Sequence, residues 1–206
     1  MGVYDDQVLP RLMTVVCGNQ RMAKVRRRAL EGLSGTVVEL GFGAGPNVPL
    51  YPAEVERVYA VEPSDVARRL ARKRIDASVV PVELVGLDGQ DLPLPDASAD
   101  AVLSTWTLCT IPDVERALQE CRRVLVPGGR LFFLEHGLAE NPVLAGKQRR
   151  WTPMQQRIAG GCRLDRPIDD LVTGAGFEIE RLFRFTLPGP KTMNAMYAGV
   201  GVNLGG

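Results

Sequence analysis

Histidine is nearly absent from this chain: His136 is the only one among 206 residues. The four cysteines, Cys17, Cys109, Cys121 and Cys162, show no short paired spacing of the kind that holds zinc and form no disulfide framework. No metal is therefore expected, and a reduced, cytoplasmic compartment is. Nor is there an excess of either charge. Lys and Arg total 25 against 24 Asp and Glu, a formal net charge of +1, so no basic field argues for nucleic acid. No apolar run reaches the ~18 residues of a bilayer span. The start, Met1-Gly2-Val3-Tyr4-Asp5-Asp6-Gln7, is acidic and polar, unlike a secretory leader, and Asp6 stands where N-myristoylation wants Ser or Thr. Internal repeats and low-complexity segments are missing too. What remains has the length and composition of one globular domain with one sizeable core.

The organisation is legible from periodicity. Residues 5 to 33 read as helix in two pieces broken near Gly18-Asn19, with Leu9, Leu12, Met13 and Val16 on one apolar face and Met22, Val25, Ala29 and Leu33 on the next. Arg21, Lys24, Arg26, Arg27 and Arg28 fill the rest of the second piece. Such a run marks a solvated helix face or a membrane-surface contact. From Gly35 the pattern becomes strand, short turn, helix, repeated, which predicts a parallel sheet with helices on both faces. Strands are expected near 36–40, 57–61, 81–85, 100–105 and 130–135, and helices near 47–51, 64–76 and 113–125. Residues 138–163 give helix-like stretches without a clean start or stop. Asp165 is placed to cap a helix beginning at Arg166-Pro167. Two more strands follow, over Phe177 to Phe185 and Met193 to Val202.

The motifs begin at Val37-Val38-Glu39-Leu40-Gly41-Phe42-Gly43-Ala44-Gly45-Pro46, followed by Val58-Tyr59-Ala60-Val61-Glu62. An apolar strand runs into a glycine turn, and a second strand ends on a carboxylate. Glycines admit close backbone approach, and an acid there accepts from two ribose hydroxyls. A dinucleotide fingerprint needs its third glycine three positions after the second, where Pro46 stands. The alternating Gly41, Gly43 and Gly45, with Glu39 two residues ahead, resemble the first motif of the class I S-adenosylmethionine-dependent methyltransferases. That resemblance implies S-adenosyl-L-methionine as cofactor, Glu39 near its methionine amino group and Glu62 on its ribose. It also implies a single Rossmann-like α/β domain. The sheet would be seven-stranded and mostly parallel, with a hairpin of the last two strands at its edge. Residues 1–34 would form an N-terminal helical lid, 35–206 the methyltransferase domain, and 138–163 a substrate-side insertion.

Further elements fall in line. Gly86-Leu87-Asp88-Gly89 is similar to the family's adenine-reading turn, in which Asp88 accepts from the exocyclic amine and the Gly89 N–H donates to the ring. The fourth strand ends in Ser104-Thr105-Trp106-Thr107-Leu108-Cys109, which in an open sheet borders the ligand crevice. Thr105 is thereby assigned to the cofactor. Trp106 either walls the acceptor pocket or fills core. Cys109 needs no chemical role, because direct methyl transfer forms no covalent enzyme intermediate. His136, after the apolar run Leu131 to Glu135, is the candidate general base for an acceptor that sheds a proton near neutral pH; tying down a loop is the alternative.

Thr107 to Ile111, Arg122 to Gly129, Glu135-His136 and Gly161 to Arg166 together resemble the small methyltransferase-like proteins that include the alkyl-thiol S-methyltransferases. The implied activity is methyl transfer to a small, fairly apolar acceptor such as a thiol, with Trp106, Trp151 and Met154 on the substrate. The N-terminal helix around Tyr4 to Met13 and Ile158 would complete the lid. C-, O- or N-methylation of a quinone precursor or phospholipid head group is the alternative chemistry, and a non-catalytic cofactor-binding or membrane-surface module the alternative class. Fold kinship leaves the acceptor atom and the oligomeric state open.

Overall fold

The computed structural model describes residues 8–17 and 19–205. Tyr4 and the beginning of the expected lid fall outside that range, as do the side chains of Met13 and Val16. Two helices lead in, α1 (Leu9–Cys17) and α2 (Gln20–Ala29). Asn19 starts α2 by accepting from the Met22 amide at 3.0 Å, satisfying one of the amides that a helix leaves unpaired in its first turn. The expected break near residues 18–19 is thus a cap.

Seven strands form one sheet: β1 (Gly35–Leu40), β2 (Val55–Val61), β3 (Val82–Gly86), β4 (Ala99–Thr105), β5 (Leu125–His136), β6 (Phe177–Thr186) and β7 (Ala195–Asn203). Their order is β3-β2-β1-β4-β5-β7-β6. All pairs from β3 to β5 are parallel; β7 runs antiparallel to both its neighbours. Strand order reverses between β1 and β4, so the chain leaves these strands in opposite directions and opens a crevice at their carboxyl ends.

Alternation along the strands sends side chains to two cores. Val38, Leu40, Val102, Leu131 and Phe133 meet α4 (Val114–Val124) and α6 (Ile168–Gly174) on one face. Val37, Ala101, Leu103, Phe132 and Leu134 meet Ala29, Leu30 and Leu33 at the end of α2 on the other. Within the segment expected to be a lid, α2 is therefore part of the sheet's packing. Helix α3 (Asp65–Asp76) begins at Ser64, whose side chain accepts from the Ala67 amide. On α4, Val114, Ala117, Leu118, Cys121 and Val124 are buried, as their spacing predicts, and burial pushes the Cys121 thiol up to about 12.

Three elements differ from expectation. The helix expected over 47–51 is a single 3₁₀ turn, Val48–Leu50. Residues 142–158 form one continuous helix, α5 (Pro142–Ile158), because Asn141 accepts from both Val143 and Leu144 amides and Pro142 fits the first turn; Pro153 is carried inside it. Asp165 does not cap the next helix: it pairs with Arg163 at 3.4 Å, and α6 starts after Pro167 without a side-chain cap.

Candidate active site

A cleft of about 1350 Å³ opens at the carboxyl ends of β1, β2 and β4. Its floor is the turn after β1. Gly41 lies at φ +64°, and a Cβ there would fall 2.0 Å from Thr107 Oγ1, so only glycine fits against the β4 loop. Gly43, at φ +58°, is open on its side-chain face: the nearest atom to a Cβ would be the Gly41 carbonyl at 3.9 Å. That face belongs to the cleft. Gly45 is not among the lining residues; it packs behind the turn, against Val48 and Phe42.

Glu62 follows β2 and is 7% exposed. Its two carboxylate oxygens accept one amide each, Gly43 at 2.7 Å and Ser64 at 2.8 Å, and burial holds its pKa above the ordinary value. Each oxygen keeps a lone pair for a ligand hydroxyl. Asp88, exposed at the cleft rim, accepts from the Gln90 amide at 2.8 Å and the Gln90 side chain at 2.9 Å; these bonds hold its carboxyl below the usual range. Gly89 and Gln90 line the cleft beside it.

Glu39 is elsewhere in depth. It is buried, it does not line the cleft, and its carboxylate accepts from Asn47 Nδ2 at 2.9 Å and the Tyr51 hydroxyl at 2.5 Å. Burial pushes its pKa up to about 7, against the opposing pull of those two bonds and of Arg26. Asn47 also donates to Thr105 Oγ1 at 3.1 Å, and Arg26 donates to both Asn47 Oδ1 (2.9 Å) and Thr105 Oγ1 (2.7 Å). Arg26 is 3% exposed and lines the cleft, its guanidinium 4.5 Å from the Trp106 ring centroid. One member of the basic run on α2 is thus inside the protein, while Arg21, Lys24, Arg27 and Arg28 are exposed.

The far wall is the loop after β4. Trp106 lines the cleft with φ +55°, a conformation that side chains rarely adopt, and its amide is held by the Leu134 carbonyl at 2.7 Å. Buried Glu135 accepts from Ser104 Oγ at 2.7 Å and from the amides of Thr107 (3.0 Å) and Cys109 (3.2 Å). Arg166 answers from the other side, donating to the carbonyls of Leu108, Ile111 (2.5 Å) and Pro112 (3.2 Å). One carboxylate takes the loop's N–H groups and one guanidinium its carbonyls, so the loop is fixed at both polarities.

His136 does not line the cleft. Its ring is 6.3 Å from that of Trp106, and Nδ1 faces the sulfurs of Cys109 (3.9 Å) and Cys162 (3.7 Å). Trp151 and Met154 are also outside the lining and are half exposed on α5, at 50% and 47%. The roof comes instead from Leu9, Pro10 and Thr14 of α1 and from residues 159–161 after α5, where a Cβ on Gly160 would meet Leu9 at 2.9 Å. The structure thus gathers Gly41, Gly43, Glu62, Asp88, Gly89, Thr105 and Trp106 at one cleft and leaves Glu39, Gly45, His136, Trp151 and Met154 off its surface. The sequence reading missed Arg26, Asn47 and Tyr51, and only Asn47, just past the glycines, carried any local signal.

Residues 38–133 match the methyltransferase domain family. The human thiol S-methyltransferase TMT1B is 34% identical over 171 residues, covering 76% of this chain and 70% of its own. Phosphatidylethanolamine N-methyltransferase from Cereibacter sphaeroides is 30% identical over 117 residues, 56% of this chain and 57% of its own. Among solved structures, a SAM-dependent methyltransferase from Thermotoga maritima superposes with a TM-score of 0.70 at 25% identity, covering 98% of both chains. The [4+2]-cyclase SpnF shares the fold, with a TM-score of 0.77 at 19% identity and coverage of 98% and 94%. With the glycine turn, Glu62 and the strand order in place, the chain belongs to the class I S-adenosylmethionine-dependent methyltransferases, in the family that includes thiol S-methyltransferase TMT1B.

Proposed function

We propose that this enzyme binds S-adenosylmethionine along β1, β2 and β3 and methylates the sulfur of a small apolar thiol held beneath α1. The observation that carries this is the division of the cleft. Its β2–β3 end is lined by Glu62, Asp88 and Gly89, while Leu9, Pro10, Trp106 and Ile111 line the other side. The thiol S-methyltransferases among its relatives support sulfur as the acceptor atom.

The chain's groups fit the parts of the cofactor. The free lone pairs of Glu62 suit vicinal ribose hydroxyls, and Asp88 with the Gly89 N–H offers an acceptor and a donor for an adenine edge. The open face of Gly43 lets the ligand lie directly on backbone. Arg26 brings positive charge to the end that would hold the methionine carboxylate, and Glu39 acts there through Asn47 and Tyr51 as a positioning residue. Bound in this way, the cofactor supplies an electrophilic methyl carbon on a sulfonium. The protein aligns the acceptor sulfur behind that carbon and keeps water away from it. The nucleophile is the thiolate. Among the described residues no histidine lines the cleft, and the carboxylates that do, Glu62, Asp65 and Asp88, follow β2 and β3 at the cofactor end, so on this reading the acceptor, with a free thiol pKa of about 8.5, reaches its thiolate by its own acidity. The base role for His136 draws no support from its place behind Trp106.

Labelled methyl transfer to a panel of alkyl thiols, phenols, amines and quinols tests the acceptor. Thiols are expected to dominate; preferential labelling of a quinol carbon or an amine overturns the sulfur assignment. Across thiols of different acidity, the rising, acid-side limb of kcat/KM is expected to move with the acceptor's pKa. A limb fixed near neutrality for every thiol would restore an enzyme base.

A further inference from the structure

Outside the cleft lining, three reactive side chains meet: Cys109 on the β4 loop, His136 at the end of β5 and Cys162 in the turn after α5. Cys109 and Cys162 are 1% and 5% exposed. The two sulfurs are 3.8 Å apart, and His136 Nδ1 lies 3.9 Å from Cys109 Sγ and 3.7 Å from Cys162 Sγ. A tetrahedral zinc ion with Zn–S of about 2.3 Å and Zn–N of about 2.0–2.1 Å separates its ligands by about 3.8 Å (S to S) and about 3.6 Å (S to N). The three edges of this triangle match one face of that tetrahedron to within a few tenths of an ångström. A disulfide would need the same sulfurs at about 2.05 Å.

We propose that Cys109 Sγ, Cys162 Sγ and His136 Nδ1 bind a zinc ion, with water in the fourth position, and that the ion clasps together the two walls of the acceptor side of the cleft. Short spacing gave no hint of it: His136 is 27 residues after Cys109 and 26 before Cys162. The fold supplies the pre-organisation. Glu135 and Arg166 pin the Cys109 loop, and the Arg163 amide bonds the Cys109 carbonyl at 2.8 Å, holding the Cys162 turn against it. Binding releases one proton from each thiol, and two thiolates with a neutral imidazole then balance the doubly charged ion, leaving no net charge in the interior. Thr110 and Gly161, the immediate neighbours of the two cysteines, both line the cleft, so the ion sits one residue behind its wall.

The test uses the full chain, purified reduced from zinc-supplemented cells. Elemental analysis is expected to give close to one zinc per chain. After chelation, cobalt(II) should produce the visible bands of a tetrahedral site and a thiolate charge-transfer band, saturating near one equivalent and bleached by zinc. Cys109→Ser, Cys162→Ser and His136→Asn should each weaken cobalt binding by about a hundredfold or more, whereas Cys121→Ala should not. Circular dichroism and a cooperative melt identify the variants that fold. The proposal is overturned if the reduced wild-type chain holds less than about a tenth of an equivalent of zinc and shows no cobalt bands. It also fails if the bands persist in a folded Cys162→Ser variant. None of these readouts depends on methyl transfer, so the thiol acceptor and the zinc site stand or fall separately.

Discussion

The two sides of the cleft are built on opposite plans. On the side of β1 to β3 the ligand surface is backbone and carboxylate: the open face of Gly43, the Glu62 oxygens, and the Asp88 turn at the rim. On the side of β4 and β5 a mesh of side chains, buried Glu135, Arg166, Cys109 and Cys162 with half-buried His136, comes from widely separated segments and shapes a loop from behind. On the proposed reading, the first plan recognises a ligand whose shape does not vary, and the second lets the acceptor wall change without disturbing the cofactor.

If that division is real, damage on one side should stay there. Arg166→Ala leaves the Leu108, Ile111 and Pro112 carbonyls without their donor and is expected to lower stability by about 3–4 kcal/mol in a urea melt, with binding of S-adenosylhomocysteine to folded protein unchanged. A parallel loss of cofactor affinity would merge the two sides.

Glu39 sharpens the other side. Its folded-state pKa of about 7, raised from 4.5 by burial, means that the folded protein holds this proton more tightly than the unfolded chain. The stability it confers is complete below about pH 4.5 and is lost as pH rises to 7. The difference in unfolding free energy between wild type and Glu39→Gln should therefore change by about 3 kcal/mol across that window and level off above it.

Smaller effects follow in order. Glu62→Ala should weaken S-adenosylhomocysteine binding about a hundredfold by calorimetry, with KM for the thiol moved far less. Gly43→Ala, whose methyl group meets only open cleft, should cost about tenfold in the same titration and little in stability beyond the strain of its positive φ. Trp151→Ala should change thiol KM by less than about twofold, because that side chain is half exposed and off the cleft; a larger rise would return it to the acceptor site.

These plans also explain what was legible in the sequence. Strand alternation, the glycine turn and Glu62 are local signals, and each sits where its spacing predicts. Helix α5 was obscured by Pro153 and by glycine, although Asn141-Pro142 is a sound helix start. Asp165 has the chemistry of a cap and spends it on Arg163. Glu39 belongs to the motif yet lies beneath the cleft, bonded to Asn47 and Tyr51, with Asn47 in turn bonded to the cleft-lining Arg26 and Thr105, a distinction of depth that a linear pattern does not carry. Arg26 looked like its four exposed neighbours, and the cysteine–histidine triangle exists only once β4, β5 and the turn after α5 are brought together.

Arg26 also makes the Trp106–Thr105 wall of the cleft sensitive to helical phase. An α-helix turns by about 100° per residue, so deleting one residue from α2 ahead of position 26, with the sheet-packed end held in place, leaves Arg26 where it is. A deletion between Arg26 and Leu30 does the opposite, swinging the guanidinium off Trp106 and Thr105 and bringing Val25 round in its place. Register between Arg26 and the sheet-packed end is therefore set by the guanidinium, whereas a deletion ahead of it turns α1 instead and falls on the roof of the cleft.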